Sequence, residues 1–184
     1  MNIWDLPTAA QIGGKSYSIH TDYRDILNIF RYLDDPEEPE YVRWHIALAL
    51  FYEGQIPPEH TGEAMEYLSR FLNCGDTKAA PGPKLLDWEQ DARVILSDVN
   101  KVAGQEIRAL PYLHWWTFLA WFHAIGEGQL SSLIAIRQKL QKGQKLESWE
   151  QEYYRTNKAQ VDLRKRYSAE ELAEQERLQK LLGG

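Results

Sequence analysis

Hydrophobic residues recur at the three- and four-residue spacing of helices along most of the chain. The first such stripe follows the candidate helix-capping residues Thr21 and Asp22 and comprises Ile26, Leu27, Ile29, Phe30 and Leu33. Similar stripes return further along the chain, and prolines, glycines and capping residues separate them. The pattern therefore predicts a series of amphipathic helices.

These separators set the boundaries of the later helices. Asp87 with Gln90, and Ser148 with Gln151, have the three-residue spacing of helix-capping pairs. Residues 76–86 are rich in proline and glycine and predict the clearest linker. We predict helices over residues 41–52, 58–72, 87–102, 112–125 and 130–141, one from Ser148 that includes Val161, and a last one opened by Ser168 and Glu171.

The N-terminal residues alternate in the manner of a strand instead. Tyr17 and Ile19 alternate with serines after Gly13 and Gly14, two residues that accept the positive φ angles of a hairpin turn. The fold predicted from the whole pattern is mainly α. It is a compact domain of about six to eight helices with a short N-terminal β-hairpin and a C-terminal helical extension.

The aromatic segment over residues 112–125 is the most apolar stretch of the chain. At helical spacing its strongest face carries Trp115, Phe118, Leu119, Phe122 and Ile125, and Trp116 and Trp121 fall on opposite flanks. A helix that is apolar on nearly every side is typical of a protein interior. We predict that this face is buried in the core, and an exposed aromatic binding face is the alternative.

Composition and charge narrow the classes of protein that fit the chain. Hydrophobic residues make up 43% and charged residues 26%, which is typical of a globular domain. The net charge of −6 disfavours general binding to nucleic acid, and no apolar run is long enough to cross a membrane. A single cysteine, Cys74, excludes an intrachain disulfide and indicates a reducing compartment. We therefore expect an intracellular protein with neither a nucleic-acid nor a membrane partner.

None of the candidate chemical motifs is complete. Gly14, Lys15 and Ser16 imitate the end of a phosphate-binding loop, but Ala9 stands where the motif requires its first glycine. The five histidines lack metal-ligand spacing with one another. Cys74 lies at a predicted helix end, where the helix dipole disfavours a thiolate nucleophile. We predict no catalytic residue, no bound metal and no cofactor.

The apolar pattern thins after residue 162. This change divides the chain into a helical domain, residues 1–162, and a charged C-terminal helical extension, residues 163–184. The extension either folds back on the domain or binds a partner. Its three leucines share a face but span barely one helical turn, so we predict docking on a neighbouring copy or another protein. The predicted partner-binding residues are Arg164, Arg166, Leu178, Leu181 and Leu182.

Four segments of the chain resemble one known family. They are IGGKSYSIHTDYRDIL, LALFYEGQIPPE, DWEQDARVILSDV and LPYLHWWTFLAWFHAI. The chain is similar in these segments to the gene-product-fifteen family of long-tailed bacteriophages and their prophages. The resemblance covers roughly residues 3–160, and its most specific part is the Leu-His-Trp-Trp block.

The resemblance implies a role in building the phage tail. Genes of that family typically lie between those of the tail-tube and tape-measure proteins, a position that tail-assembly chaperones occupy in other long-tailed phages. It implies a non-enzymatic chaperone, in the cytoplasm of the bacterial host, whose partners are tape-measure or other tail proteins, or further copies of itself. The expected binding mode is an apolar helix face in a groove, with acidic rims that limit self-association. A structural component retained in the particle and a metal-dependent enzyme stay open as alternatives.

Overall fold

The computed structural model of the chain describes residues 4–76 and 82–164, together with positions 167, 171, 173, 174 and 177. Within these residues a β-hairpin precedes eight α-helices, and the predicted mainly α fold is confirmed. Two short 3-10 turns, Pro58–His60 and Ile107–Ala109, lie between the longer elements. The helices are α1 Tyr23–Leu33, α2 Glu40–Phe51, α3 Thr61–Leu72, α4 Ala92–Ala103, α5 Trp115–His123, α6 Gln129–Gln141, α7 Ser148–Thr156 and α8 Lys158–Val161.

The predicted hairpin is confirmed and is tied to the start of α3. Strands β1 (Ala9–Ile12) and β2 (Lys15–Ser18) pair antiparallel, and the two glycines of the turn have φ angles of +57° and +76°. The Gly13 N–H donates to the Glu63 carboxylate over 2.9 Å. A Cβ at Gly13 would collide with the ring of His60. Glycine is therefore required here both for the backbone angle and for the close approach.

The hairpin, α1–α5 and the first turns of α6 surround the main core, which is the larger of two clusters of buried hydrophobic residues. Trp115 lies at its centre with 1% of its surface exposed. The Trp115 ring packs against Phe30, Trp88 and Phe118, with centroids 5.7, 5.8 and 5.4 Å away. Aromatic rings in such tilted and stacked contacts add to the stability that burial provides.

The prediction that the strongest aromatic face is buried is confirmed for most of that face. Trp115, Phe118 and Leu119 are buried, and Phe122 is half-buried against Trp88. Trp116, on a flank of this face, is also buried and packs against Phe71, and its indole N–H donates to the Phe71 carbonyl at the end of α3 over 2.9 Å. The Trp115 indole donates to the neighbouring Leu72 carbonyl over 3.1 Å. Both indoles thus bind carbonyls of the last turn of α3, where a helix lacks intrahelical donors, and the Phe71 carbonyl also accepts from the Cys74 N–H.

A smaller group of buried residues, here called the C-terminal cluster, lies between α6 and the segments that follow it. It comprises Leu133, Ile136, Leu146 and Val161, with Tyr153 and Tyr154 packed against them. Because these residues bury much less apolar surface than the main core, hydrophobic burial alone stabilises this region less.

A buried ion pair joins the C-terminal cluster to the main core. The Arg137 guanidinium lies 2.6 and 2.8 Å from the two carboxylate oxygens of Asp91 at the start of α4. It also donates to the backbone carbonyls of Leu85, Gln160 and Val161 over 2.7 to 2.9 Å. We call these five residues the Arg137 network. Arginine suits this position because its planar fork of donors can bind a carboxylate and several carbonyls at once.

Several predicted helix boundaries need correction. Asp87 accepts hydrogen bonds from the backbone of the following turn, but α4 itself begins only at Ala92. Gln90 does not cap α4, because its side-chain amide donates to the Asp162 carbonyl over 2.8 Å instead. The predicted helix from Ser148 to Val161 is broken at Asn157 into α7 and α8. The aromatic helix is shorter than predicted and begins at Trp115, directly behind its N-cap residue His114.

Candidate partner-binding groove

Helix α2 has more apolar surface than the core can cover. Its inner side buries Ala47, Leu48 and Phe51 in the main core. Its outer side presents Tyr41, which is 77% exposed, and the exposed Ala49, with the exposed His45 between them. A helix that is apolar nearly all round is usually covered by neighbours, and α2 is not.

This outer side of α2 forms one wall of a groove of about 1230 Å³. The other wall comes from the loop after α2 and from the start of α3. The floor and walls are predominantly apolar, which is typical of surfaces that bind other proteins or ligands. The principal apolar side chains lining the groove are Tyr41, Val42, Trp44, Leu48, Ala49, Tyr52, Ile56 and Met65.

Prolines and a glycine set the shape of the groove. Pro39 immediately precedes α2, and Pro58 opens the short turn that leads into α3. Between them the chain reverses at Gly54, whose φ of +101° is unfavourable for residues with a side chain. The two walls are therefore fixed by local backbone preferences.

Tyr52 anchors the floor of the groove to α3 and to the hairpin. Its hydroxyl donates to the Ala64 carbonyl over 3.0 Å, and its backbone pairs with Ile19. Burial is the main cause that raises the pKa of Tyr52 well above its usual value. Tyr52 thus stays neutral and keeps its donor role across the physiological pH range.

The groove lies in the most acidic part of the chain. Residues 34–66 hold nine of the 27 acidic residues but only one of the 21 lysines and arginines, Arg43. The Arg43 guanidinium donates to the Leu33 carbonyl over 2.9 Å and is directed toward the end of α1. Glu40 lines the groove at the start of α2. Glu53 and Glu59 lie next to lining residues at its other end, and all three are exposed. We call Glu40, Glu53 and Glu59 the acidic rim.

The residues considered for chemistry have structural roles or lie at the surface. His114 caps α5: its Nδ1 accepts from the Trp116 N–H over 3.0 Å, so the Nε2–H donates to the Pro7 carbonyl. Burial lowers the pKa of His114 and favours this neutral form. Burial also raises the pKa of the half-buried Cys74 thiol to about 11, so it is protonated at neutral pH. In the described part of the chain, no three histidine, cysteine or acidic side chains are placed to hold a metal ion.

Four of the five predicted partner-binding residues, Arg166, Leu178, Leu181 and Leu182, lie outside the described residues. Arg164 is exposed, and its backbone N–H donates to the Gln90 side chain over 2.9 Å. The predicted role of these five residues stays a prediction. The sequence analysis missed the groove itself, although α2 carries a signal of it. Apolar residues at positions 41, 44, 48, 49 and 52 form a second helical stripe, which shares Leu48 and Tyr52 with the side that faces the core.

The fold and the groove define a mainly helical protein with an open, acidic-edged apolar groove. The family model described as Bacteriophage Gp15 protein matches residues 3–163, and the chain belongs to this family. This confirms the resemblance found in the sequence. The family is not known as enzymatic. The chain has no match among curated proteins and none among solved structures. Of the helices in the described residues, none has the length and apolar character needed to cross a membrane.

Proposed function

We propose that this protein is a tail-assembly chaperone that binds the tape-measure protein in the groove between α2 and α3. Membership of a bacteriophage family supports a role in phage biology. The observation that carries the proposal is the apolar groove of about 1230 Å³, which α2 leaves uncovered. The protein acts in the cytoplasm of the host and catalyses no reaction.

The dimensions of the groove fit a helical partner. Helix α2 has 12 residues and forms one complete wall. At about 1.5 Å per residue, this wall is roughly 18 Å long and can accompany about three turns of a partner helix. Tape-measure proteins are long and helical, and an apolar helix face that would otherwise aggregate is shielded when it lies in such a groove. Binding of this kind keeps a partner soluble and requires no catalysed reaction.

The C-terminal extension provides a second proposed contact. We retain the prediction that Arg164, Arg166 and the three leucines dock on a tail protein or on another copy. Gln90 supports this role because it holds the chain at Asp162 and Arg164, so that the extension leaves the domain from a fixed point. A contact at this point would act together with the groove and raise the overall affinity for one partner.

The test is co-expression with the tape-measure protein of the same phage or prophage. A groove variant carries Tyr41→Gln and Ala49→Gln, two exposed positions on α2. A matched control carries Trp149→Gln and Ala120→Gln, which are likewise an exposed aromatic residue and an exposed helical alanine. We expect the wild type and the control to keep the tape-measure protein in solution. The groove variant should recover at least roughly tenfold less of it, as loss of central contacts does.

Equal recovery with the groove variant and the wild type would overturn the proposal. Mass spectrometry of finished particles separates a chaperone from a structural component, because a chaperone is released before the tail is complete. Detection of the protein in stoichiometric amounts in purified tails would support the structural alternative.

A further inference from the structure

Charge is segregated along this chain in a way that its overall composition hides. Residues 34–66 contain nine acidic residues and a single arginine, whereas the remainder of the chain has slightly more basic than acidic residues. The segregated segment is also the one that supplies most of the groove. A concentrated negative potential at a low-dielectric apolar surface attracts cations and repels anions.

The acidic rim brackets the apolar floor at both ends. Glu40 lines the groove at the start of α2, and the exposed Glu53 and Glu59 are adjacent in sequence to the residues that line its other end. None of the three forms an ion pair within the described residues. Arg43, the only lysine or arginine of the segment, donates to the Leu33 carbonyl. The rim carboxylates are therefore available to a ligand, and no ion pair within the described residues offsets their negative charge.

We propose that the occupant of the groove is a basic amphipathic helix of about three turns, supplied by a separate protein. Its apolar face lies on Leu48, Ala49 and Met65, and lysine or arginine side chains on its flanks reach the acidic rim. This inference rests on the proposed function, because it describes the chemistry of the partner that the same groove binds.

Charge also argues against the groove of a second copy as the occupant. A symmetric contact between two grooves would place one acidic rim against the other. Like charges brought together at an interface are unfavourable, so such a dimer is disfavoured. An acidic helix is disfavoured for the same reason.

The experiment measures binding of labelled model peptides to the full-length protein by fluorescence anisotropy. The first probe is an amphipathic peptide of leucine and lysine with helical spacing. The second replaces every lysine with glutamate, and the third has the composition of the first in an order that destroys the apolar face. We expect the first peptide to bind at least roughly tenfold more tightly than either of the others, since only it combines both features.

Two variants distinguish an effect of the rim carboxylates from an effect of the protein's overall negative charge. The rim variant carries Glu40→Gln, Glu53→Gln and Glu59→Gln. The control carries Asp25→Asn, Glu127→Gln and Glu152→Gln, three exposed acids on other parts of the fold. We expect the rim variant to bind the first peptide about tenfold more weakly, with a smaller dependence on salt, and the control to bind it as the wild type does. Equal weakening by both variants would overturn the inference.

A third full-length variant tests the chain's own extension as the occupant. Serines replace Leu178, Leu181 and Leu182. If peptide affinity then rises several-fold, the extension competes for the groove and the assignment to a separate partner is wrong. Unchanged affinity supports it. The proposed function fails independently: if the basic helix does not bind, but the groove variant still loses the tape-measure protein, only the basic character of the partner is refuted.

Discussion

The main core and the C-terminal cluster stabilise the fold in different ways. The main core buries aromatic and aliphatic side chains from the hairpin, from helices α1–α6 and from the turn Ile107–Ala109 around Trp115. Its buried polar groups are hydrogen-bonded to partners distant in sequence, such as the Trp115 indole to the Leu72 carbonyl. The C-terminal cluster has four buried apolar residues, and the Arg137 network joins it to the start of α4, beside the packing of Leu130 of α6 in the main core. Hydrophobic burial tolerates small shifts in geometry, whereas a buried ion pair is stable only with all its hydrogen bonds in place. The two regions should therefore respond to different perturbations.

The largest effect is expected from truncation at the centre of the main core. Trp115→Ala removes a fully buried indole together with its hydrogen bond to α3. We expect a loss of about 3–5 kcal/mol in the free energy of unfolding, as for other buried large aromatic residues. Chemical denaturation followed by circular dichroism measures it. Exposed Trp149 is the matched control, and Trp149→Ala should change the stability little.

The next effect should be local to the C-terminal cluster. Asp91→Ala leaves the buried Arg137 guanidinium without its carboxylate, and we expect a cost of about 3 kcal/mol. Hydrogen exchange should show the loss of protection mainly in α6–α8, while the amides of α3 and α5 stay protected. Combining Asp91→Leu with Arg137→Met should recover part of the stability. A uniform loss of protection throughout the fold would contradict the division into two regions.

The main core should be the first region to respond to acid. Because burial lowers the pKa of His114 below its ordinary value of 6.5, the unfolded chain takes up a proton before the folded one does. The contribution of neutral His114 to the free energy of unfolding is complete above pH 6.5 and is lost as the pH falls through the lower pKa of the folded state. We expect Tm to decrease over that range. His114→Asn keeps an N-cap residue that cannot titrate, and its Tm should depend less on pH in the same range.

The C-terminal cluster should respond at lower pH through Glu150. Hydrogen bonds from Lys139 and from the Glu147 backbone lower the pKa of Glu150 below its ordinary value of 4.5. The contribution of ionised Glu150 to the free energy of unfolding is therefore complete above pH 4.5 and is lost as the pH falls through the pKa of the folded state. We expect amides of α7 to lose protection there in the wild type. In Glu150→Gln this loss should no longer depend on pH, and an unchanged pH profile would contradict the assignment.

The smallest effect on stability is expected from the C-terminal extension. Deletion of residues 168–184 should leave Tm nearly unchanged but weaken association with a tail protein or another copy, because the few apolar residues of the extension can contribute little to burial within one chain. Thermal denaturation and sedimentation measure the two quantities. A Tm lower by several degrees with unchanged association would show that the extension belongs to the domain's own fold.

Local patterns account for the parts of the fold that the sequence predicted well. The hairpin follows from two adjacent glycines, and the first helix from the cap at Asp22, whose carboxylate accepts from the Arg24 N–H. The burial of Trp115 follows from an aromatic helix with no polar face. In each case, residues within one turn or one helix determine the outcome.

The features that the sequence analysis missed depend on residues far apart in the chain. Asp91 and Arg137 are 46 positions apart, and nothing in either local pattern marks them as partners. Gln90 has the spacing of a capping residue but binds carbonyls about 70 positions away. The groove has the same origin, because the second apolar stripe of α2 is visible in the sequence whereas its lack of a cover depends on the tertiary fold.

The Arg137 network also sets an order of events during synthesis. A ribosome adds roughly 5–20 residues per second, so Arg137 is made about two to nine seconds after Asp91, which lies 46 positions earlier. The carbonyls of Gln160 and Val161 are made later still. The elements of the main core can therefore pack around Trp115 first, while the Asp91 carboxylate is still solvated and not yet paired with Arg137. Docking of the C-terminal cluster is then the last step of folding during synthesis. A translational pause between residues 125 and 160 would lengthen the interval in which Asp91 lacks the Arg137 guanidinium.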